Sequence, residues 1–161
     1  AVNAEQNDDI TILCCKLTLN DDIAPDCELV MRNDTADIML IAEFIDGLCE
    51  KYQLPMDVGF SLNLALEEAV ANVMKYAYPE GEEHNIILSV KLIDNRLIFK
   101  LIDTGKPFDP TIVPDADVTL SAEDRKIGGL GIFLVRQIMD SVEYRRIDGK
   151  NILTMVKLLN V

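Results

Sequence analysis

A carboxylate, a carboxamide and an ammonium group lie close together in residues 66–81, LEEAVANVMKYAYPEG. At about 100° per residue, Glu68, Asn72 and Lys75 fall on one flank of the predicted helix, beside the apolar stripe that faces the core. A carboxylate suits a general base, an amide oxygen suits Mg²⁺, and an ammonium group suits a phosphate. The same spacing also fits an exposed polar ridge in which Glu68 and Asn72 pair across one turn.

A second candidate is LIDTGKPFDP, residues 101–110, where an apolar strand ends and a loop begins. A carboxylate at a strand end, here Asp103, can accept a hydrogen bond from an amino group on a ring. Gly105 would let a flat ligand approach the backbone. A plain Asp-Thr-Gly turn is the alternative.

A third candidate is KIGGLGIFLVRQIMD, residues 126–140, where glycines precede a predicted helix. Free backbone amides at a helix N-terminus favour an anion. The segment is not a Walker A loop, because no Gly-Lys-Ser/Thr follows, and Leu134 stands where a dinucleotide fingerprint has its third glycine. A glycine-rich hinge before a packed helix is the alternative.

Taken in this order, the three segments resemble the N, G1 and G2 boxes of the Bergerat-fold (GHKL) ATP-binding superfamily. They are most similar to the anti-sigma-factor serine kinases of bacteria, and the resemblance covers residues 27–159. It implies an α+β fold of the Bergerat type, with one mixed, mostly antiparallel sheet covered on one face by about three helices. ATP and Mg²⁺ are the implied ligands.

The resemblance assigns roles to five residues of the first two boxes. Glu68 matches the carboxylate that activates the attacking hydroxyl, and Asn72 matches the asparagine that binds Mg²⁺. Lys75 stands where these kinases often carry a basic residue near the phosphates. Asp103 matches the aspartate that accepts from the adenine amino group, and Gly105 is the glycine beside it.

The third box contributes backbone rather than side chains. Gly129, Leu130 and Gly131 match the segment at the phosphates, and residues 109–127 match the mobile lid. Tyr76 departs from the family pattern, since relatives often have histidine there.

The function implied is an ATP-dependent protein kinase that phosphorylates a serine on a STAS-domain anti-sigma-factor antagonist. The alternative is a nucleotide-gated module that sequesters a sigma factor or antagonist with little or no kinase activity. The presence of Glu68 favours the kinase, because a binding module needs no base. His84, the only histidine, lies in a charged turn and is not placed as a phospho-acceptor. A homodimer is expected by analogy.

The segments lie within a regular pattern of elements. Strands are predicted at 9–19, 27–32, 86–93, 96–103, 141–147 and 151–159. A helix capped by Asn33, Asp34 or Thr35 should run to Tyr52, with Ile38, Ile41, Ala42, Ile45 and Leu48 on its buried face. Further helices are predicted at 56–77 and 128–140. In the helix at 56–77, the apolar residues predicted to face the core are Leu62, Ala65, Leu66, Ala69, Val70, Val73 and Ala77.

Composition restricts the partners and the compartment. The formal net charge is −13, which disfavours nucleic acid and acidic membrane surfaces as partners. No signal peptide or membrane-spanning run occurs, so a cytoplasmic location is expected. The four cysteines show no CxxC spacing, which disfavours a zinc site.

The N-terminus predicts a longer parent protein. The chain begins with Ala1 rather than Met, and residues 7–17, NDDITILCCKL, resemble the last strand of metal-dependent serine phosphatases. Asp8 would be the metal-ligating aspartate of that strand. We therefore expect residues 1–20 to be a remnant of a phosphatase domain and linker, followed by the ATP-binding domain at 21–161.

Overall fold

The computed structural model describes residues 24–112 and 129–159, which form one five-stranded sheet, three α-helices and two short 3₁₀ helices. The predicted strand at 9–19 and residues 113–127 of the predicted lid lie outside this range. In chain order the elements are β1 (Cys27–Arg32), α1 (Leu40–Tyr52), α2 (Met56–Tyr76), β2 (Asn85–Ile93), β3 (Arg96–Asp103), α3 (Gly129–Ile138), β4 (Ser141–Ile147) and β5 (Lys150–Leu158).

The strand order in the sheet is β1-β2-β3-β5-β4, and every pair of neighbouring described strands is antiparallel. Two hairpins, β2–β3 and β4–β5, turn through Asp94-Asn95 and Asp148-Gly149. Both residues of each turn have positive φ, the turn geometry that matches the twist of paired strands. The predicted α+β fold is confirmed, and the sheet is more uniformly antiparallel than expected.

The core lies between the sheet and the helices. Leu88, Leu101 and Leu153 are neighbours across β2, β3 and β5, and all three are buried. They belong to one cluster that also contains buried residues from each of α1, α2 and α3. Alternate residues of the strands therefore supply one wall of the core, as the pleat of a half-covered sheet requires.

Helix α2 buries the stripe that its periodicity predicts, with two differences. Leu62, Ala65, Leu66, Ala69, Val70 and Ala77 are buried. Val73 was predicted in the same stripe but is only half-buried, because it lines a cavity instead of packing fully. Met74 is buried in its place.

Helix α1 is preceded by a 3₁₀ helix, Thr35–Met39, which Asp34 caps by accepting a hydrogen bond from Ala36 N. The buried residues of α1 are Ile41, Ile45 and Leu48. The prediction that Ala42 is buried was wrong, since it is exposed. Ala42 lies about 100° around the helix from Ile41, which takes it off the narrow buried stripe.

Asp26 connects the start of β1 to its surroundings. Its Oδ2 accepts from Leu92 N at 2.9 Å and from the Tyr52 hydroxyl at 3.0 Å, and its Oδ1 lies 2.9 Å from Lys91 Nζ. The Leu92 amide, followed by Lys91, lowers the pKa of Asp26 from 3.8 to about 2. One carboxylate thereby links the entry to β1 with α1 and β2.

Helix α3 ends at Ile138, two residues before its predicted end. Met139 N still donates to Val135 O, and Asp140 N donates to Val156 O, so the chain passes directly into the sheet. No helix within residues 24–112 and 129–159 is long and apolar enough to cross a membrane.

Candidate functional site

A cavity opens between α2, the ends of the central strands and α3. It encloses about 490 Å³, including the open space at its mouth. Its wall includes Asn72 of α2, Asp103 of β3, Ile132 of α3, Tyr144 of β4 and Asn151 of β5, together with residues of the segment that follows β3. The three segments singled out in the sequence therefore meet at one place.

Asp103 is the most deeply buried acidic residue of the cavity, at 5% exposure. Its Oδ1 accepts from Gly105 N and from Asn151 Nδ2, both at 2.8 Å. No donor within the described ranges contacts its Oδ2. One carboxylate oxygen is thus fixed by the protein, and the other remains available to a donor on a ligand.

Asn151 holds Asp103 in this orientation. Its Nδ2 also donates to the Lys106 carbonyl at 3.1 Å, while its Oδ1 accepts from the Tyr144 hydroxyl at 2.8 Å and from Arg146 Nη1 at 2.6 Å. The sequence analysis missed this residue. The available signal was a polar side chain at an inward position of β5, where Leu153 and Met155 follow at the same face.

Gly105 has a packing role, and its predicted role in letting a flat ligand approach the backbone stays a prediction. A Cβ built on it would lie 2.5 Å from Ala77 Cβ and 2.6 Å from Ala77 O. The next residue, Lys106, donates its backbone N–H to Ala77 O at 2.8 Å. Only glycine allows the strand end to approach the end of α2 so closely.

Glu68 and Asn72 meet the start of α3. A Cβ built on Gly131 would fall on Glu68 Oε2 and lie 3.2 Å from Asn72 Nδ2. Asn72 Nδ2 donates to the Glu68 carbonyl at 2.8 Å, and its Oδ1 has no donor among the described residues. Because Gly131 has no side chain, the N-terminus of α3 can lie against this pair.

The remaining residues predicted for the site are Gly129, Leu130 and Lys75. Gly129 and Leu130 form the first two positions of α3, and Leu130 is 42% exposed. Lys75 is exposed in the last turn of α2 and does not line the cavity. Lys106, which the sequence analysis did not select, does line it. The predicted binding roles of Gly129, Leu130 and Lys75 stay predictions.

The mouth of the cavity carries two exposed aromatic side chains. Tyr76 and Phe108 line the cavity and are 52% and 53% exposed. The loop that carries Phe108 is fastened to α3, because Arg136 donates to the carbonyls of Pro110 and Thr111. Aromatic faces beside a buried hydrogen-bond acceptor suit a flat, amino-bearing ring.

Comparison with known proteins identifies the family. The model of the histidine kinase-like ATPase domain matches residues 31–157. This chain belongs to that family. Serine-protein kinase RsbW of Halalkalibacterium halodurans is 31% identical over 119 residues, which are 71% of this chain and 72% of the relative. Serine/threonine-protein kinase BtrW of Bordetella bronchiseptica is 31% identical over 96 residues, 60% of this chain and 68% of BtrW.

A solved structure shares the fold. The RsbU and RsbW domains of Rv1364c from Mycobacterium tuberculosis match with a TM-score of 0.58 and 12% identity, over 84% of this chain and 33% of the longer chain. Among histidine kinase-like ATPase domains, the chain is therefore of the RsbW type of serine-protein kinase, and the resemblance seen in its three segments is confirmed.

The residues of this RsbW-type domain fit a metal that arrives with its nucleotide. No group of three or more His, Cys, Asp or Glu side chains that could hold a metal occurs in the part of the chain that the structure describes. Asn72 Oδ1 instead offers one neutral oxygen at the edge of the cavity. Mg²⁺ commonly takes one or two protein ligands and completes its shell with water and phosphate oxygens.

Proposed function

We propose that this domain binds ATP with Mg²⁺ in the cavity and transfers the γ-phosphoryl group to a serine of a STAS-domain anti-sigma-factor antagonist. The observation that carries the proposal is the convergence of Asn72, Asp103 and Ile132 around one cavity, with Gly131 of the same helix as Ile132 lying against Asn72. The names of the relatives, serine-protein kinases, support the reaction class.

Asp103 would select the base of the nucleotide. Its Oδ2, which no donor in the described ranges contacts, is an acceptor in a wall that is mainly apolar and includes Leu101 and Leu153. The amino group of adenine is a donor, whereas guanine presents a carbonyl at the equivalent position. Because an unpaired buried carboxylate is costly, this arrangement favours ATP over GTP.

Asn72 would hold Mg²⁺ through Oδ1. When bound, the metal offsets the negative charge of the phosphate oxygens. The amides at 129–131 would face the same phosphates, since they lie at the N-terminus of α3. Lys75 and Lys106 are the nearby cations that we propose as further phosphate contacts.

Glu68 would serve as the base. In the proposed step the acceptor serine Oγ forms a bond to the γ-phosphorus while the bond to the β,γ-bridging oxygen breaks and ADP leaves. The proton of the serine hydroxyl passes to the Glu68 carboxylate. The position of Glu68 beside Gly131 supports this role, because the α3 N-terminus and the base then face one reacting centre.

The context of the domain is part of the proposal. Residues 1–20 would be the remnant of a phosphatase domain and residues 21–161 the kinase domain, in a protein that is cytoplasmic and dimeric. The neighbour from Mycobacterium tuberculosis carries RsbU and RsbW domains in one chain, which supports a fused arrangement. A sigma factor would be a second protein partner.

The test is transfer of label from γ-labelled ATP, with Mg²⁺, to purified STAS-domain proteins of the source organism. We expect one of them to be labelled on serine, and Glu68→Gln to lower the rate by about two orders of magnitude while ATP still binds. ATP binding without transfer to any of them would contradict the kinase and favour a nucleotide-gated binding module. Transfer undiminished in Glu68→Gln would contradict the assignment of the base.

A further inference from the structure

Helix α2 carries an exposed apolar stripe on its outer face. Met56, Phe60 and Leu64 are 76%, 70% and 42% exposed. They recur every four residues, so they form one ridge that runs along the helix. Large exposed apolar side chains that adjoin one another on a soluble domain mark a surface that binds a partner.

The ridge leads to the proposed catalytic base. The next residue in the series of four is Glu68, one turn beyond Leu64. Gly131 lies against the Glu68 side chain, and its neighbour Leu130 is another exposed apolar residue, at 42%. Exposed apolar residues therefore occur on both elements that meet at Glu68, Leu64 on α2 and Leu130 on α3, and in the proposed function the acceptor hydroxyl arrives at Glu68.

The helix that carries the ridge and the helix packed against it have an excess of acidic residues. The two packed helices α1 and α2 carry six carboxylates and two lysines, Lys51 and Lys75. The carboxylates are those of Glu43, Asp46, Glu50, Asp57, Glu67 and Glu68. A partner that covers the ridge must therefore carry basic side chains around its own apolar patch, since like charges at the rim would oppose association.

We propose that the ridge Met56, Phe60 and Leu64 is the docking surface for the protein that accepts the phosphoryl group. This inference rests on the proposed function. The partner would present an apolar patch ringed by Lys and Arg. Glu68 lies about 6 Å along the helix axis from Leu64 and about 12 Å from Phe60. The acceptor serine would then lie within about 12 Å of the partner's apolar patch.

Such a surface suits a transient encounter. Three side chains on one helix offer much less area than a stable protein interface requires. A kinase benefits from this, because its phosphorylated product must leave. The acidic rim would add to the rate of association with a basic partner and make it depend on salt.

The test uses the double variant Phe60→Gln with Leu64→Gln in the full chain, with Val30→Gln as the matched control. Both helix positions are exposed, so polar replacements there should leave the fold intact. Val30 is 51% exposed in β1, next to the buried Met31, and so points away from the core. The acceptor is the STAS-domain protein that the unaltered domain labels.

We expect the double variant to raise KM for that acceptor about tenfold or more, with unchanged ATP affinity, and Val30→Gln to leave KM unchanged. High salt should raise KM of the unaltered domain for the acceptor.

An unchanged KM in the double variant would overturn the docking surface while leaving the kinase in place. A dimer that becomes a monomer in the double variant would assign the ridge to self-association instead. If the unaltered domain labels no STAS-domain protein, the proposed function fails, and this inference fails with it.

Discussion

Asn151 and Asp103 show how one side chain prepares another for a ligand. Asn151 is buried at 5% exposure and uses both ends of its amide, donating to Asp103 Oδ1 and accepting from Tyr144 and Arg146. The amide is therefore locked in one orientation, and the donor it presents to Asp103 is fixed. If Asp103 Oδ2 binds the base as we propose, that oxygen is oriented before any nucleotide arrives, which would reduce the cost of ordering the site on binding.

At Gly131, the addition of a single methyl group should strongly lower the rate of phosphoryl transfer. In Gly131→Ala, the added methyl would displace the Glu68 carboxylate and crowd the Asn72 amide. We expect phosphoryl transfer to fall about tenfold or more, because the base would leave its position. The measurement is the rate of label transfer to the STAS-domain acceptor at saturating ATP.

Gly47→Ala is the matched control for that experiment. Gly47 lies in α1 with nothing within 4 Å of an added Cβ. Its replacement should leave transfer unchanged and stabilise the fold by about 0.5–1 kcal/mol, since alanine is the better helix former. Full activity in Gly131→Ala would show that α3 does not lie against Glu68 as described.

At the scale of elements, the sequence predicts where strands and helices occur better than it predicts their faces. The predicted bounds of β1, β3 and β4 follow from apolar runs and turn residues and are confirmed, whereas β2 begins one residue early and β5 is shifted by one residue. The exposure of Ala42 does not follow from its apolar character, because the buried stripe of α1, Ile41, Ile45 and Leu48, is narrower than the apolar face predicted for this helix. Periodicity describes a single helix, whereas burial depends on what packs against it.

For the candidate site, the residues within each segment could be predicted from the sequence, but the contacts between segments could not. The three segments are local in the sequence, so Asp103, Asn72 and Gly131 could be selected from them. The contact between Gly105 and Ala77 and the orientation of Asp103 by Asn151 join residues that are far apart along the chain. Only the folded arrangement of β3, β5 and α2 reveals these pairs.

Asp26 provides a prediction about the junction of β1, α1 and β2. Because its pKa in the folded protein is about 2, below the usual 3.8, its contribution to stability is complete above about pH 4 and is lost as the pH falls towards 2. We expect Asp26→Asn to remove on the order of 1–2 kcal/mol from the free energy of unfolding at neutral pH. The free energy of unfolding of Asp26→Asn should also change less between pH 4 and pH 2 than that of the unaltered domain.

Urea unfolding at several pH values measures this difference. Asp46→Asn, at an exposed position of α1, is the control that should follow the unaltered domain across the same range. Equal losses of stability in Asp26→Asn and the unaltered domain between pH 4 and pH 2 would contradict the role given to the carboxylate.

For the whole molecule, the main physical problem is charge. A domain with a net charge of −13 is proposed to bind a highly charged anion. Long-range attraction cannot provide the affinity, so it must come from short-range contacts at one place. Amides at the start of α3, the metal ion and Lys106 at the cavity wall would supply them, and Asp103 would supply the selection of the base.

The central claim is that three separate segments form one adenine-nucleotide site. Isothermal titration of the unaltered domain and of Asp103→Asn with ATP and Mg²⁺ tests it most directly, with GTP as the matched ligand. We predict one site per chain for ATP, weaker binding of GTP, and a loss of ATP affinity of about tenfold or more in Asp103→Asn. Absence of ATP binding, or binding that Asp103→Asn leaves unchanged, would contradict the claim.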